Sequence, residues 1–151
     1  MKLRYVATSY AVMGLLAYGR TRAWSLCPDN GLSGHLLYMF CSSSLVHYML
    51  NGVVWCVMWK SVTIVRTLFA WLAAVIVGYL LPVTLPVCGW SVVLYFYLGM
   101  MMRQMAMDVR FRLLCATLIG LFVPGIAVWH HIGMLACGYA CEWVRRRWVA
   151  S

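Results

Sequence analysis

The sequence has very few acidic residues. Among 151 residues only Asp29, Asp108 and Glu142 carry a carboxylate side chain. General acid–base catalysis draws largely on such groups, and ion-coupled transport usually relies on acids buried in the membrane. The sequence also lacks a phosphate-binding glycine loop, paired CxxC motifs and a nucleophile–base–acid constellation. These absences predict a protein that is not an enzyme and that binds no metal ion.

Charged residues of either sign are scarce, and apolar residues dominate. Only 10% of the residues are charged and 65% are hydrophobic, with a mean hydropathy of +0.86. Soluble domains are about half apolar and a quarter charged, and a small one exposes too much surface to hide so much apolar mass. The composition predicts an all-α integral membrane protein, residues 1–151 forming one small bundle of four or five transmembrane helices without a soluble domain.

Five apolar stretches are the candidate spans, since a helix needs about 20 apolar residues to cross a bilayer. They are residues 5–19, 32–59, 61–81, 87–102 and 113–141. The first is short, so whether it crosses stays open, and with it the orientation of the chain. Residues 104–112 are predicted to form a basic loop. Pro124 and Gly125 predict a kink in the last span.

The third apolar stretch contains small residues at helical spacing. Ala70, Ala74 and Gly78 recur every four residues and therefore share one helix face. Small residues at this spacing let a neighbouring backbone approach closely. Trp55 and Trp59 precede Lys60 at the end of the second stretch and predict an anchor at the membrane interface.

Basic residues cluster at the ends of the apolar stretches and give a formal net charge of +9. Each basic side chain near an anionic membrane surface contributes roughly 1 kcal/mol of binding, so the clusters predict phospholipid binding, cardiolipin included. Nucleic acid is not an expected partner, because no soluble basic face carries these residues. The predicted headgroup ligands are Arg20, Arg22, Lys60, Arg66, Arg103, Arg110, Arg112, Arg145, Arg146 and Arg147.

Three histidines lie deep in the candidate spans. Ionisable groups at that depth suggest function, and His47 could hold a b-type haem together with His131 or His130. The alternative is that each imidazole hydrogen-bonds a neighbouring helix. His131 is followed eleven residues later by Glu142 and Trp143, a spacing that resembles the membrane-anchor subunits of succinate dehydrogenase, although that family has Asp-Tyr at the quinone site.

Methionine, glutamate and cysteine side chains are also candidate functional groups. Met101 and Met105 have the MxxxM spacing that resembles the pore ring of copper transporters, but the GxxxG helix of those transporters is absent, and methionine also fills gaps between helices. Glu142 precedes Arg145 and Arg146 at helical spacing, which favours a neutralised surface pair over a proton path. The seven cysteines are an odd number, mostly in apolar stretches, and predict reduced thiols in packing roles.

The leading functional prediction is a non-catalytic accessory subunit of a multisubunit energy-transducing complex, the mitochondrial respiratory chain or ATP synthase. Abundant aromatic and methionine side chains suit contacts with other membrane subunits, and four basic and no acidic residues among the first 28 suit import into the mitochondrial inner membrane. One alternative is a haem b- or quinone-binding anchor subunit of a redox complex. Another is a bacterial inner-membrane component of a secretion or conjugation machine.

Overall fold

The computed structural model describes residues 3–17, 19–83, 86–119, 122 and 127–150. Over these ranges the chain is helical and forms no β-strand beyond a single antiparallel bridge between Leu26 and Val87. The predicted all-α fold is therefore confirmed. The helices are α1 (Leu3–Ala17), α2 (Thr21–Trp24), α3 (Gly31–Leu37), α4 (Leu45–Val57), α5 (Ile64–Leu80), α6 (Ser91–Met101), α7 (Met107–Ile119) and α8 (Val128–Ala150).

Two of these helices begin at side-chain caps. The Ser44 hydroxyl accepts a hydrogen bond from the main-chain nitrogen of His47 at 3.1 Å, and α4 starts at the next residue. The Thr63 hydroxyl accepts in the same way from Arg66 at 3.2 Å and precedes α5. Such caps satisfy amide groups that the first helical turn leaves unpaired. Pro82 follows the end of α5, where a helix cannot easily continue.

The apolar stretches differ in how they fold. Residues 5–19 and 61–81 each contain one helix, α1 and α5, whereas residues 32–59 are divided by a break between Phe40 and Leu45 with a bend of 58°. The basic loop predicted for residues 104–112 is wrong in its second half, because α7 begins at Met107. The kink predicted at Pro124 and Gly125 lies outside the described residues.

Helix length sets a limit on what can cross a bilayer. Within the described ranges, no single helix combines enough residues with enough apolar character to do so. The apolar helices α1 and α5 have 15 and 17 residues, short of the required length. The two arms of the bent segment, Pro28–Phe40 and Leu45–Val57, meet the requirement only when taken together.

Helix α6 lies at the centre of the bundle and packs against α8, α5 and α4. It crosses α8 where two glycines bring the backbones into contact. A Cβ atom on Gly99 would overlap the carbonyl oxygen of Leu135, and one on Gly138 would overlap that of Phe96. Glycine allows this approach because it has no side chain, and close backbones maximise packing between helices.

The small-residue face of α5 is buried, as predicted. Ala70, Ala74 and Gly78 all point into the bundle. The Tyr38 hydroxyl donates a hydrogen bond to the Ala74 carbonyl at 2.9 Å, and Gly78 packs against Tyr38 and Leu26. The burial of this face is confirmed, but the groups that meet it at Ala74 and Gly78 are side chains, that of Tyr38 foremost, rather than a neighbouring backbone.

Trp55 does not lie at the surface. Its side chain is 2% exposed and packs edge-to-face against Trp90 and Tyr97, with ring centroids 5.2 and 5.4 Å apart. The prediction of an interfacial anchor is therefore wrong for Trp55, because α4 packs against α6 along this side. Trp59 is partly buried, with the ammonium group of Lys60 5.8 Å from its ring centroid.

Candidate functional site

A polar cavity of about 200 Å³ opens where α5, α8 and the end of α6 meet. Lys60 and Ser61 line it from the turn before α5, and Arg66 lines it from the first turn of that helix. Gln104 contributes from the 3₁₀ turn after α6, and Glu142 contributes from α8. Because three separate segments supply these side chains, tertiary packing builds the site.

Glu142 is buried in this cluster and is held by two arginines. Its side chain is 2% exposed. Arg145 donates two hydrogen bonds of 2.8 Å to the carboxylate, and Arg146 donates one of 2.7 Å. These hydrogen bonds, that from Arg145 foremost, lower the pKa of Glu142 to about 2. The predicted pairing is confirmed, although Glu142 is buried rather than on the surface.

Lys60 and Arg66 line the cavity and have no carboxylate partner in the part of the chain that the structure describes. Among the residues that the structure describes, ion pairs join Asp108 to Arg112 and Glu142 to its two arginines. Arg66 is half-buried and donates to the main-chain oxygen of Ser61 at 3.0 Å. The cavity is therefore electropositive, since Glu142, the one carboxylate among the described residues of its lining, already pairs with two arginines.

An apolar groove of about 600 Å³ adjoins this cavity and runs between α5 and α8. Arg66 and Met100 line both the cavity and the groove. The walls of the groove are mostly apolar and include Val65, Phe69 and Val144. Together the two spaces form an amphipathic depression, with positive charge at one end and an apolar channel leading away from it.

The other predicted headgroup ligands lie elsewhere. The structure brings together Lys60, Arg66, Arg145 and Arg146. Two of the others pack on tryptophan rings, Arg20 on Trp24 and Arg147 on Trp143. Arg110 donates to the main-chain oxygens of Met105 and Arg103, and Arg112 pairs with Asp108. Arg22 and Arg103 are exposed. Whether any of them contacts lipid stays a prediction.

Two of the histidines flank one turn. His47 Nδ1 is 2.9 Å from the Ser43 hydroxyl, and His131 Nε2 is 2.9 Å from the Ser91 hydroxyl. A Cβ atom on Gly89 would lie 2.7 Å from His47 Cε1 and 3.4 Å from Ser91 Oγ, so both imidazoles approach this turn.

A haem would need these rings to face a common iron. His131 Nε2 instead bonds Ser91, its ring stacks on Tyr95 at 4.4 Å, and the Gly89 backbone covers an edge of His47. His130 is buried, and its Nε2 has no hydrogen-bond partner in the described part of the chain. Hydrogen bonding to a neighbouring helix is seen for His131, whereas His47 bonds the nearby Ser43, and the haem stays a prediction.

Two further chemical possibilities have little support in the geometry. No group of three His, Cys, Asp or Glu side chains within the described ranges is arranged to hold a metal ion. Met101 ends α6 and Met105 follows the 3₁₀ turn in extended conformation, so the MxxxM spacing does not lie on one helix face.

Sequence reasoning identified the basic residues of the cavity one by one. It missed Ser61, Gln104 and the apolar groove, because these join the site only through the packing of α5 against α8. Ala140, in the groove wall, carried no chemical signal in the sequence. The chain matches no known protein-family model and no curated protein.

Proposed function

We propose that this chain is a non-catalytic, integral membrane subunit that packs within a larger membrane complex and binds its lipids. The apolar outer faces of α4 and α5 carry the proposal. On α4 the large exposed side chains are Leu45, Val46, Met49, Leu50, Val53, Val54 and Val57. On α5 they include Val65, Leu68, Phe69, Leu72, Ile76 and Leu80. Soluble monomers rarely expose contiguous apolar patches of this kind, which mark protein or membrane contacts.

Two side-chain hydrogen bonds join helices within the bundle. Thr67 and Tyr97 share a hydrogen bond of 2.8 Å between α5 and α6. The Trp71 indole nitrogen donates to the main-chain oxygen of Leu36 at 3.0 Å. An apolar exterior with hydrogen bonds between helices suits a bilayer, where unsatisfied polar groups cost several kcal/mol each.

The absence of catalytic chemistry in the sequence leads us to propose a scaffolding role. Aromatic and methionine side chains provide large contact areas for neighbouring subunits. We propose the mitochondrial inner membrane, and within it a respiratory complex or ATP synthase, as the first location to examine. The basic N-terminal segment supports this choice. A secretion or conjugation machine of a bacterial inner membrane is the alternative location.

One substitution distinguishes a lipid-facing helix from a water-facing one. Leu72 lies on the outer face of α5 and is about half exposed. A lysine at the centre of a membrane helix costs about 2.5–3.5 kcal/mol, whereas an exposed substitution in water usually changes stability by less than about 0.5 kcal/mol. Leu72→Lys should therefore deplete the chain from alkali-washed membranes. Val109→Lys, at a similarly exposed position of α7 between Asp108 and Arg110, is the matched control.

The subunit role is tested by affinity purification of the tagged chain from native membranes in mild detergent, with partners identified by mass spectrometry. We expect a stoichiometric set of membrane subunits, and their identity would give the complex and the compartment. Recovery of the chain alone from a membrane fraction would contradict the subunit role. Release of the wild-type chain by alkali would contradict the membrane assignment itself.

A further inference from the structure

We propose that the cavity and groove between α5 and α8 form a specific site for one anionic diacyl phospholipid. The phosphate binds Lys60 and Arg66, and an acyl chain occupies the α5/α8 groove. This inference rests on the proposed membrane location, since lipid must surround the chain.

The charge of the cavity selects an anionic headgroup. Lys60 and Arg66 face the cavity without a carboxylate partner in the described part of the chain. Glu142, which also lines the cavity, already accepts three hydrogen bonds from Arg145 and Arg146. Charge-assisted hydrogen bonds from basic side chains to phosphate oxygens are shorter and stronger than neutral ones.

The neighbouring polar side chains suit a phosphoester. Ser61 and Gln104 line the same cavity and carry donors that phosphate or glycerol oxygens can accept. Arg66 is half-buried and its guanidinium is oriented by a hydrogen bond to the Ser61 carbonyl. Such a positioned side chain loses less conformational freedom on binding than an exposed one.

The adjoining groove suits an acyl chain. It has about 600 Å³ of volume, within the range of about 300–1,000 Å³ that is usual for small-molecule sites. Its continuity with the cavity at Arg66 and Met100 matches the linkage of headgroup to tail in a phospholipid. A second apolar groove, of about 550 Å³ between α1 and α4, is lined by no basic residue among those that the structure describes. Charge complementarity therefore singles out the α5/α8 groove.

Native mass spectrometry of the full chain in detergent, with phosphatidylglycerol and phosphatidylcholine in equal amounts, tests headgroup selection. We expect one phosphatidylglycerol to be retained in preference by about tenfold or more, from two basic contacts. Lys60→Gln/Arg66→Gln should remove that preference. Arg22→Gln/Arg112→Gln removes the same charge from exposed positions outside the site and should leave it unchanged.

Two alanine positions of α8 test whether an acyl chain occupies the groove. Ala140 lines the groove, whereas Ala136 is exposed on the same helix and is not part of that lining. Ala140→Trp should fill the groove and weaken phosphatidylglycerol binding severalfold, with Ala136→Trp as the matched control. Inorganic phosphate at equal concentration should not displace the lipid, since it has no tail to bind in the groove.

Several results would overturn the site. Equal retention of the two lipids by the wild-type chain would refute it. An equal loss of the phosphatidylglycerol preference in the Lys60/Arg66 and Arg22/Arg112 double variants would refute it as well. Displacement by inorganic phosphate, or indifference to Ala140→Trp, would indicate an anion site without a lipid tail and would also refute the proposal. Thermal unfolding of each variant identifies misfolding. A chain that resists alkali extraction but shows no lipid preference refutes this site alone and leaves the membrane assignment intact.

Discussion

Tyr10 and Tyr48 exchange hydrogen bonds, each hydroxyl donating to the main-chain carbonyl oxygen of the other residue at 2.8 Å. Their rings stack with centroids 4.7 Å apart. A glycine follows each tyrosine by four residues, and each ring packs over the glycine of the opposite helix. A Cβ atom on Gly52 would lie 2.8 Å from Tyr10 Cε1, and one on Gly14 would overlap the Tyr48 hydroxyl. A reciprocal pair of Tyr-x-x-x-Gly segments thus joins α1 to α4.

Removing either hydroxyl should loosen this joint. We expect Tyr10→Phe and Tyr48→Phe each to lower the free energy of unfolding by roughly 1 kcal/mol, the usual contribution of one hydrogen bond. The measurement is denaturant unfolding in detergent micelles followed by tryptophan fluorescence. Tyr79→Phe is the control, because Tyr79 is exposed and contacts His35 through its ring, which phenylalanine retains. A loss of equal size in the control would contradict the reciprocal pairing.

The glycine crossing of α6 and α8 predicts a large difference between two alanine substitutions. Gly138→Ala places a Cβ against the Phe96 carbonyl, a backbone group that cannot rotate away. Gly133→Ala, on the same helix, places a Cβ 3.2 Å from the Val77 side chain, which can adjust. Both gain about 0.5–1 kcal/mol in helix propensity. We therefore expect Gly138→Ala to destabilise by roughly 2 kcal/mol or more, with Gly133→Ala near neutral.

Thermal unfolding of both glycine variants checks this prediction, with helix content from circular dichroism as a measure of folding. Because both substitutions replace a glycine of α8 by alanine, the difference in stability between the variants reflects the contacts of the added Cβ atoms. Equal stability of the two variants would show that the α6 and α8 backbones do not meet at Gly138.

The parts of the fold that depend on one segment could be predicted from the sequence. The buried face formed by Ala70, Ala74 and Gly78 follows from helical periodicity within α5. The break before α4 could not be read in the same way, because apolar residues continue on both sides of it. Ser44 marks the restart as a helix cap, and that signal is weak within an otherwise apolar run.

The parts that depend on two segments were not predictable. The basic character of Lys60 and Arg66 was visible, but the groove beside them exists only because α5 and α8 pack together. The contact between the two Tyr-x-x-x-Gly segments likewise exists only because α1 packs against α4. A single sequence gives the spacing within each helix and leaves open which helix faces which, so Trp55 was predicted at the surface and lies in the core.

The Glu142 pair predicts a dependence of stability on pH. Hydrogen bonds from Arg145 and Arg146 lower the pKa of this carboxyl from its ordinary 4.5 to about 2. A lowered pKa means that the stabilisation is present above pH 4.5 and is lost as the pH falls toward 2. A full shift of this size would correspond to about 3–4 kcal/mol. Both arginines are nearly half exposed, so solvent screening should reduce it to about 1–2 kcal/mol.

Denaturant unfolding in detergent at pH values between 7 and 2.5 measures the contribution of ionised Glu142 to the free energy of unfolding. In Glu142→Gln the decline below pH 4.5 should be shallower than in the wild type, because the amide does not titrate. Asp108→Asn disrupts the exposed pair with Arg112 and should preserve the wild-type profile. An unchanged acid profile in Glu142→Gln would show that Glu142 does not contribute this stability.

Cys41 and Cys88 predict a specific cross-link. The Cys41 thiol donates to the Tyr38 carbonyl at 3.1 Å, and the Gly89 amide donates to the same oxygen at 3.0 Å. This shared acceptor holds the segment of Cys41 next to the segment of Cys88. Copper(II) phenanthroline should convert the two thiols to a disulfide, two copper ions each accepting one electron while two protons leave.

Mass spectrometry of the digested protein should find the Cys41–Cys88 peptide pair after oxidation in detergent. Cys41→Ser should abolish it, whereas Cys27→Ser should leave it unchanged, since Cys27 lies outside this contact. Formation of other cysteine pairs in place of Cys41–Cys88 would contradict the packing of the segment before α6 against the break before α4. Because a disulfide forms only over a short, specific range of Cβ separations, the cross-link would test the arrangement of these two segments directly.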